Sequence, residues 1–302
     1  MKRFLLISFS FFLWVFIGCT SENARQNVPS EQDAEPPQRV VSLSPAMTEI
    51  MYALGLEDRL VGVTIHCKYP PEAQQKTQVG TVFKPNLELL AKLKPDRILM
   101  NTHYAELEAT FRRFGWTPEP IHDERVEDVF ASIGHLGRLF QVEDRAEELN
   151  AGLKQRLEKL REKTKSAPKV RVLLVVSRNY ASPRLEDVYV TGHDGLCEPL
   201  LEAAGGVNAY TGKSLFPKVS PEGILSMNPD VILEIIPDSV RAEVSDEELD
   251  RAWQTLPGLR AVQNRKIVRL TESDAALIPG PSMVDWAEKT ASLLSKCTDL
   301  KE

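Results

Sequence analysis

Cysteine and histidine are scarce in this sequence, and neither falls into a spacing typical of metal sites. The chain has four cysteines and five histidines in 302 residues, and none match a zinc motif. It also lacks a GxGxxG turn, a phosphate-binding P-loop and a GxSxG nucleophile elbow. His193 beside Asp194 is the nearest approach to a catalytic pair, although adjacent side chains rarely face each other. We therefore expect no enzyme, no resident metal and no cofactor.

Positive charge and long apolar runs are scarce as well. The formal net charge is −6 at pH 7, and lysine and arginine form no dense cluster. Nucleic-acid binding needs a positive surface that neutralises phosphates, so we expect no nucleic-acid partner. No second long apolar stretch follows the first residues, so the body of the chain is expected to be a globular unit outside the bilayer.

The first residues form a secretory signal pattern. A positively charged start precedes an apolar run from Phe4 to Ile17, which is shorter than the about 20 residues of a spanning helix. The run leads into Phe-Ile-Gly-Cys at residues 16–19, which resembles the lipobox of bacterial lipoproteins. This predicts a signal peptide over 1–18 and a lipid on Cys19; an ordinary signal peptide with a chance cysteine is the alternative. The protein is expected to be exported and lipid-anchored to a membrane, on its periplasmic or cell-surface side.

Residues 19–38 are predicted to be a disordered tether between the lipid and the body. Ser, Glu, Asn, Gln, Asp and Pro dominate this stretch. Such a composition cannot bury enough apolar surface to offset the entropy of ordering. The folded part is expected to begin near Arg39.

An internal repeat divides the folded part in two. Segments Glu88–Leu99 and Glu222–Leu233 share a glutamate, an apolar stretch at helical spacing, a Pro-Asp pair and an apolar run. Glu222 lies 134 positions after Glu88, and the two Pro-Asp pairs are separated by the same interval. Proline ends a short helix, and the apolar run is typical of a buried parallel strand. We therefore predict two similar lobes.

Strands alternate with helices in both halves. Residues 39–43 and 170–176 have strand patterns and are followed by helical segments, an order typical of parallel βαβ units. Between the halves, apolar residues recur every three or four positions, which predicts one amphipathic helix. The predicted fold class is α/β, with two Rossmann-like lobes and parallel-type sheets joined by one long α-helix. The boundaries are 39–140 for the first lobe, 141–166 for the helix and 167–302 for the second lobe.

Short motifs spread over the body form a recognisable set. They are RVVSLSPAMTE at 39–49, VGV at 61–63, KYPPEA at 68–73, NLE at 86–88, LKPD at 93–96 and PG at 257–258. The set resembles the iron-siderophore and cobalamin class of periplasmic binding proteins, and within it the cobalamin-binding branch. The resemblance implies the solute-binding protein of an ABC importer. Such a protein acts as a monomer, captures a corrinoid or an iron chelate and delivers it to a permease with its ATPase.

The resemblance also gives the repeated glutamates a role. In this family one acidic residue on each lobe docks onto arginines of the permease, and Glu88 and Glu222 occupy the matching positions. Asn86 and Ser220 are predicted to cap the two helices, which places each glutamate at the second helical position. Stabilisation of the helix dipole, worth about 0.3–1 kcal/mol, is the alternative interpretation of either carboxylate.

In such folds the ligand lies where the carboxyl ends of the strands of both lobes face each other. Residues 274–278 are expected to reach this cleft. The predicted ligand-binding residues are His66, Cys67, Phe83, Lys84, His103, Tyr104, Arg178, Asn179, Tyr180, His193 and Phe216.

The ligand class stays open at this level. The resemblance favours cobalamin, but three positions that are aromatic in the cobalamin-binding branch hold His66, Val82 and Asn101 here. A histidine or cysteine of the cleft could contact the metal of a macrocycle, whereas Arg178 and Lys84 suit an anionic ferric siderophore. Haem is a further alternative, and an exported sensor without transport is the alternative of another class.

Three cysteines belong to the body. Cys197 and Cys297 both fall on predicted helices of the second half, and an exported protein can form disulfides. The two residues either form a disulfide or remain buried thiols, and Cys67 is then unpaired.

Overall fold

The computed structural model describes residues 35–271 and 279–299. In the first lobe, parallel strands follow the order β2-β1-β3-β4. These strands are β1 (Val40–Ser42), β2 (Leu60–Val63), β3 (Arg97–Asn101) and β4 (Pro118–Ile121). The helices are α1 (Pro45–Ala53), α2 (Leu87–Leu93), α3 (Ala105–Arg113) and α4 (Val126–Leu139). The signal peptide, Cys19 and most of the predicted tether lie outside the described residues.

Helix α1 shows how local sequence sets the start and end of an element. Ser44 is extended and Pro45 occupies the first helical position. The Ser44 hydroxyl makes no capping bond, so the fixed φ of Pro45 is what favours the helix start. The helix ends at Ala53, with Leu54 as its C-cap. The next residue, Gly55, has a φ of 67°, a left-handed conformation that glycine adopts without strain.

The second lobe contains a mixed sheet in the order β10-β9-β5-β6-β8, with β7 also paired to β5. Its strands are β5 (Val170–Ser177), β6 (Val188–Val190), β7 (Gly206–Asn208), β8 (Lys218–Val219), β9 (Val231–Ile236) and β10 (Ile267–Thr271). Its helices are α6 (Cys197–Ala203), α7 (Pro221–Met227), α8 (Asp238–Glu243), α9 (Asp246–Gln254), α10 (Arg260–Gln263) and α11 (Met283–Asp299). Strands β5, β7, β9 and β10 pair in parallel, but β6 and β8 are antiparallel. The parallel-type prediction therefore holds fully for the first sheet and only partly for the second.

One long helix, α5 (Glu143–Thr164), connects the two lobes where a helix over 141–166 was predicted. It packs against α4 of the first lobe and against α6 and α11 of the second. Its buried residues Leu153, Leu157 and Leu160 belong to a hydrophobic cluster that also contains residues of both sheets. Because this cluster is continuous, α5 is part of the core of each lobe.

The Pro-Asp repeat has a structural cause, which is clearest in the first lobe. The carboxylate of Asp96 accepts the backbone N–H groups of Gln38 at 2.7 Å and of Arg39 at 3.0 Å. The Arg39 guanidinium in turn donates to the carbonyl oxygen of Leu93, the last residue of α2, at 2.6 Å and 3.0 Å. We call this arrangement a clasp, since it ties the end of α2 and the start of β3 to the start of β1.

The second lobe repeats the clasp. Asp230 accepts the N–H of Arg171 at 3.1 Å, and the Arg171 guanidinium donates to the carbonyl oxygen of Met227 at 3.0 Å. The helix C-caps match as well, because Lys94 and Asn228 are both left-handed, with φ of 47° and 42°. The two lobes are thus equivalent in geometry at the repeated motif, as the constant spacing predicts.

The described body starts slightly earlier than expected. Besides the bond from Gln38 to Asp96, the Arg59 guanidinium donates to the Pro37 carbonyl oxygen at 3.1 Å. Pro37 is also buried. The last two residues assigned to the tether are therefore held by the first lobe.

The clasp leads to a stability prediction. Arg171→Ala removes a charged donor from the Met227 carbonyl, so the free energy of unfolding should fall by about 1–2 kcal/mol. Chemical denaturation measures the change. Arg184→Ala is the matched control, because Arg184 is exposed in the same lobe and its guanidinium makes no hydrogen bond with another described residue. Equal stability of the two variants would contradict the role of the clasp.

Candidate functional site

A cavity of about 200 Å³ lies between the two lobes. The first lobe contributes the residues that follow β3 and β4, and the second lobe contributes those that follow β6 and the loop before β8. The lining residues are His103, Asp123, Glu124, Thr191, Gly192, Gly195, Leu196, Cys197, Leu215, Phe216 and Pro279. Residues 274–278, which were expected to reach this region, lie outside the described residues.

The first-lobe wall of the cavity is acidic. Asp123 is only 8% exposed, and the side-chain amide of Asn101 donates a hydrogen bond to it. Burial raises the pKa of Asp123, while the bond from Asn101 acts in the opposite direction. The next residue, Glu124, pairs with the Nε2 atom of His103 at 3.0 Å. The wall therefore presents two neighbouring carboxyl groups, of which one is largely buried.

The second-lobe wall is mostly apolar and closely packed. Phe216 is 55% exposed and lies at the cavity. The residue before it, Leu215, lies beside the end of β6, because its carbonyl oxygen accepts the N–H of Gly192 at 3.0 Å. A Cβ atom on Gly192 would collide with the Ser214 carbonyl, so glycine allows this close approach. Below the wall, His193 pairs through Nδ1 with Glu198 at 3.1 Å.

An exposed and a half-buried aromatic side chain meet on the first lobe. Phe83 is 80% exposed and its ring meets the ring of Tyr104 edge-on, with centroids 5.6 Å apart. Lys84 and His66 are also exposed. Of the predicted ligand-binding residues, the structure brings His103 and Phe216 together at the cavity, and the other nine do not line it.

Arg178 was wrongly predicted to face a ligand. Its side chain is 1% exposed, and its Nε atom lies 2.5 Å from the Glu234 carboxylate, which Arg269 also contacts at 3.0 Å. The ring of Tyr180 lies 4.7 Å from the guanidinium, and its hydroxyl donates to the Ile235 carbonyl at 2.8 Å. The arginine follows a strand as expected, but its side chain turns into the core of the second lobe.

The residue after Arg178 also has a local structural role. The backbone N–H of Asn179 donates to the Glu186 carbonyl at 2.9 Å. Its side-chain oxygen accepts from the N–H of Ala181 at 3.1 Å. Asn179 thereby stabilises the turn after β5.

The cysteine predictions also need correction. Cys67 is 1% exposed and its thiol hydrogen-bonds with the hydroxyls of Thr48 at 3.1 Å and Thr64 at 3.2 Å, so it does not reach a ligand. Of the two alternatives for Cys197 and Cys297, the structure has the buried free thiols and not the disulfide. Burial raises the pKa of Cys197 to about 12, which disfavours the thiolate that oxidation requires.

Two further properties concern the described residues as a whole. Within residues 35–271 and 279–299, no group of three or more His, Cys, Asp or Glu side chains converges as a metal site would. Over the same ranges, every helix is too short or too polar to cross a bilayer.

The repeated glutamates lie where the sequence places them. Asn86 caps α2 by accepting from the Leu89 N–H at 3.0 Å, and Ser220 caps α7 by accepting from the Gly223 N–H at 3.2 Å. Glu88 and Glu222 occupy the second position of these helices and are exposed. Hydrogen bonds from its own N–H and from Ser220 lower the pKa of Glu222, so this carboxylate is ionised at neutral pH.

A buried glutamate that the sequence analysis missed joins the lobes. Glu49 of α1 is 4% exposed and accepts the Ser282 N–H at 2.5 Å and the Ser282 hydroxyl at 2.9 Å. Ser282 immediately precedes α11, so Glu49 helps to cap a helix of the other lobe. A Cβ atom on Gly280 would collide with the same carboxylate. The sequence did contain a sign of this buried carboxylate, because Glu49 lies on the same apolar side of α1 as Ala46 and Ile50.

Comparison with known proteins identifies the family. A family model described as periplasmic binding protein matches residues 40–273. The chain belongs to this family. The Vitamin B12-binding protein of Vibrio cholerae is 28% identical over 263 residues, which are 86% of this chain and 90% of that protein. YvrC of Bacillus subtilis, named as an uncharacterized ABC transporter substrate-binding lipoprotein, is 29% identical over 284 residues, which are 92% of this chain and 85% of that protein.

Solved structures agree with this assignment. The periplasmic vitamin B12 binding protein BtuF of Vibrio cholerae has a TM-score of 0.72 at 27% identity, covering 89% of this chain and all of that one (100%). The haem-binding protein RhuT of Roseiflexus has a TM-score of 0.74 at 24% identity, covering 86% and 98%, which shows the shared fold alone. The chain is a periplasmic binding protein of the ABC transporter class and not an enzyme, and the predicted fold class is confirmed.

The buried Glu49 generates a prediction about pH. Burial raises the pKa of Glu49 from 4.5 to about 7, against the hydrogen bonds from Ser282. The folded state therefore favours the protonated carboxyl, and the stability that this proton contributes is lost as the pH rises through about 7. Glu49→Gln does not titrate and still offers an acceptor and a donor to Ser282. Its unfolding free energy relative to wild type should rise by roughly 2–3 kcal/mol between pH 5 and pH 8.

Denaturation at several pH values measures this difference. Glu147→Gln is the control, because Glu147 is exposed on α5. A difference between Glu49→Gln and wild type that stays constant with pH would rule out titration of Glu49 in this range.

Proposed function

We propose that this protein is the solute-binding lipoprotein of an ABC importer that captures cobalamin or a related corrinoid and delivers it to the permease. The observation that carries the proposal is an interlobe cavity lined by the exposed ring of Phe216. The aromatic pair Phe83 and Tyr104 lies on the first lobe, outside the lining of this cavity. Aromatic faces suit a large flat macrocycle. The near full-length similarity to a Vitamin B12-binding protein supports the same ligand class.

The charge of the cavity favours a corrinoid over an anionic iron chelate. Among the described residues that line the cavity there is no lysine or arginine. Arg178, the cation that a ferric siderophore would need, is buried against Glu234. Lys84 is exposed but does not line the cavity. A ligand with neutral side groups therefore fits this site better than one with several carboxylates.

A ligand titration tests the proposal. Cobalamin, cobinamide, haem and a ferric hydroxamate are titrated separately into the protein, with binding followed by fluorescence and by the rise in melting temperature. A corrinoid should bind with submicromolar affinity and raise the melting temperature, because a ligand of the native state stabilises it. Phe216→Ala should weaken this binding at least tenfold, whereas Phe114→Ala, at another exposed aromatic, should not. Tight binding of haem or the hydroxamate alone would reassign the ligand.

Delivery is proposed to depend on Glu88 and Glu222. Each is an exposed carboxylate at the second position of a seven-residue helix, with equivalent caps in the two lobes. Stabilisation of a helix dipole accounts for either residue alone, but it does not require the same position in both lobes. Two matched carboxylates suit two cationic sites on a permease. The lipid proposed for Cys19 would keep the protein at the membrane, where that permease lies.

Charge reversal tests docking. The double variant Glu88→Lys with Glu222→Lys should keep its ligand affinity and lose transport into cells or vesicles that contain the permease. The matched control is Glu106→Lys with Glu247→Lys, since these residues are exposed at the second position of α3 and α9. Both double variants place lysine at a helix N-terminus and carry the same dipole penalty. Normal transport by the first variant would exclude docking through these two residues.

A further inference from the structure

We propose that the first-lobe wall of the cavity, formed by Asp123 and Glu124, is a subsite for a hydrogen-bond-donating side group of the ligand, which in a corrinoid is a primary amide. This inference rests on the proposed function and names the part of the ligand that the wall selects. It concerns side groups of the macrocycle, whereas the aromatic residues concern its face.

The two carboxyl groups are positioned to accept. Asp123 lines the cavity although it is 8% exposed, and Asn101 is the donor that the described residues supply to it. An ionised carboxyl group offers about four acceptor sites on its two oxygens. One bond from Asn101 therefore leaves acceptor capacity, and a buried carboxyl group without further donors is costly. A ligand N–H group would supply the missing bond.

The surroundings disfavour an anionic group at the same place. His103 is the nearest cationic candidate, and it already pairs with Glu124 at 3.0 Å. No lysine or arginine is present among the described lining residues. A ligand carboxylate would therefore meet two carboxyl groups in a partly desolvated cavity without a compensating cation. A primary amide has the same shape, but it carries two donors and no charge.

The size of the cavity fits a side group better than a whole ligand. Its volume is about 200 Å³, below the roughly 300–1,000 Å³ of sites that enclose a small molecule. A propionamide arm can enter between the acidic wall and Leu215 while the macrocycle stays outside, against Phe216. Discrimination then depends on the replacement of an amide by an acid in one arm.

Monocarboxylic acids of cobalamin provide the test, because each has one propionamide hydrolysed to a carboxylate. Affinities of the full chain for cobalamin and for the b-, d- and e-monocarboxylic acids are measured by titration at pH 7.5. The wild type should bind at least one of these acids ten or more times more weakly than cobalamin. The double variant Asp123→Asn with Glu124→Gln should reduce that ratio to about threefold or less and leave the ratios of the other acids unchanged.

The control and the second variant keep the result interpretable. Glu143→Gln with Asp144→Asn removes two adjacent exposed carboxylates at the start of α5, and it should keep the wild-type ratios. Glu124→Gln alone is measured as well, because Glu124 is 44% exposed and bears less on folding than the buried Asp123. It should lower the discrimination in the same direction.

The outcomes separate the subsite from the proposed function. Equal affinity of the wild type for cobalamin and all three acids, or discrimination that persists in both variants, overturns the subsite and leaves corrinoid capture in place. Failure of every corrinoid to bind the wild type overturns both.

Discussion

The clasp between an aspartate and the start of the first strand is the constraint on which the arrangement of both lobes depends. Asp96 and Asp230 accept N–H groups at the start of β1 and β5, while Arg39 and Arg171 hold the ends of α2 and α7. Each short helix is therefore fixed to its sheet at its carboxyl end, and its first turn projects outward at a defined position. The exposed glutamates of α2 and α7 occupy equivalent positions because the same clasp is built twice.

The buried carboxyl groups of this protein differ in whether an arginine lies beside them. Glu234 is fully buried and contacts Arg178, Arg269 and the indole N–H of Trp253. Since the arginines are engaged there, they do not reach the cavity, and no lysine or arginine is among the described residues that line it beside Asp123. The proposed preference for an uncharged side group thus depends on where the second lobe places its arginines. Glu49 has no cationic partner of this kind: its two hydrogen bonds both come from Ser282, the residue before α11, and burial raises its pKa to about 7.

The sequence predicts the elements of this fold better than the direction of its side chains. The strand at Val231–Ile236 and the long connecting helix were recognised because periodicity and flanking Pro-Asp or polar residues define them. The acidic wall was missed because Pro118 and Pro120 disguise β4, which tolerates them as an edge strand. Arg178 was misplaced because its position after a strand does not determine whether its side chain enters the cleft or the core. The sequence left Cys197 and Cys297 open between a disulfide and two free thiols for the same reason, since two helices in contact do not fix the geometry of their thiols.

The connection between the lobes suggests why a partner would need to contact both of them. Helix α5 lies in one continuous hydrophobic cluster with both sheets, and Arg156 of α5 makes a bidentate ion pair with Glu288 of α11, at 2.7 Å and 3.1 Å. The bonds between Glu49 and Ser282 tie α1 to the start of α11, and Lys68 pairs with Asp238 across the lobes at 3.3 Å. Separation of the lobes therefore has to strain several contacts at once. A partner that bound the first turns of both α2 and α7 would hold each lobe at a rigid point. It could then pull the lobes apart against these contacts, whereas a partner bound to one lobe could not.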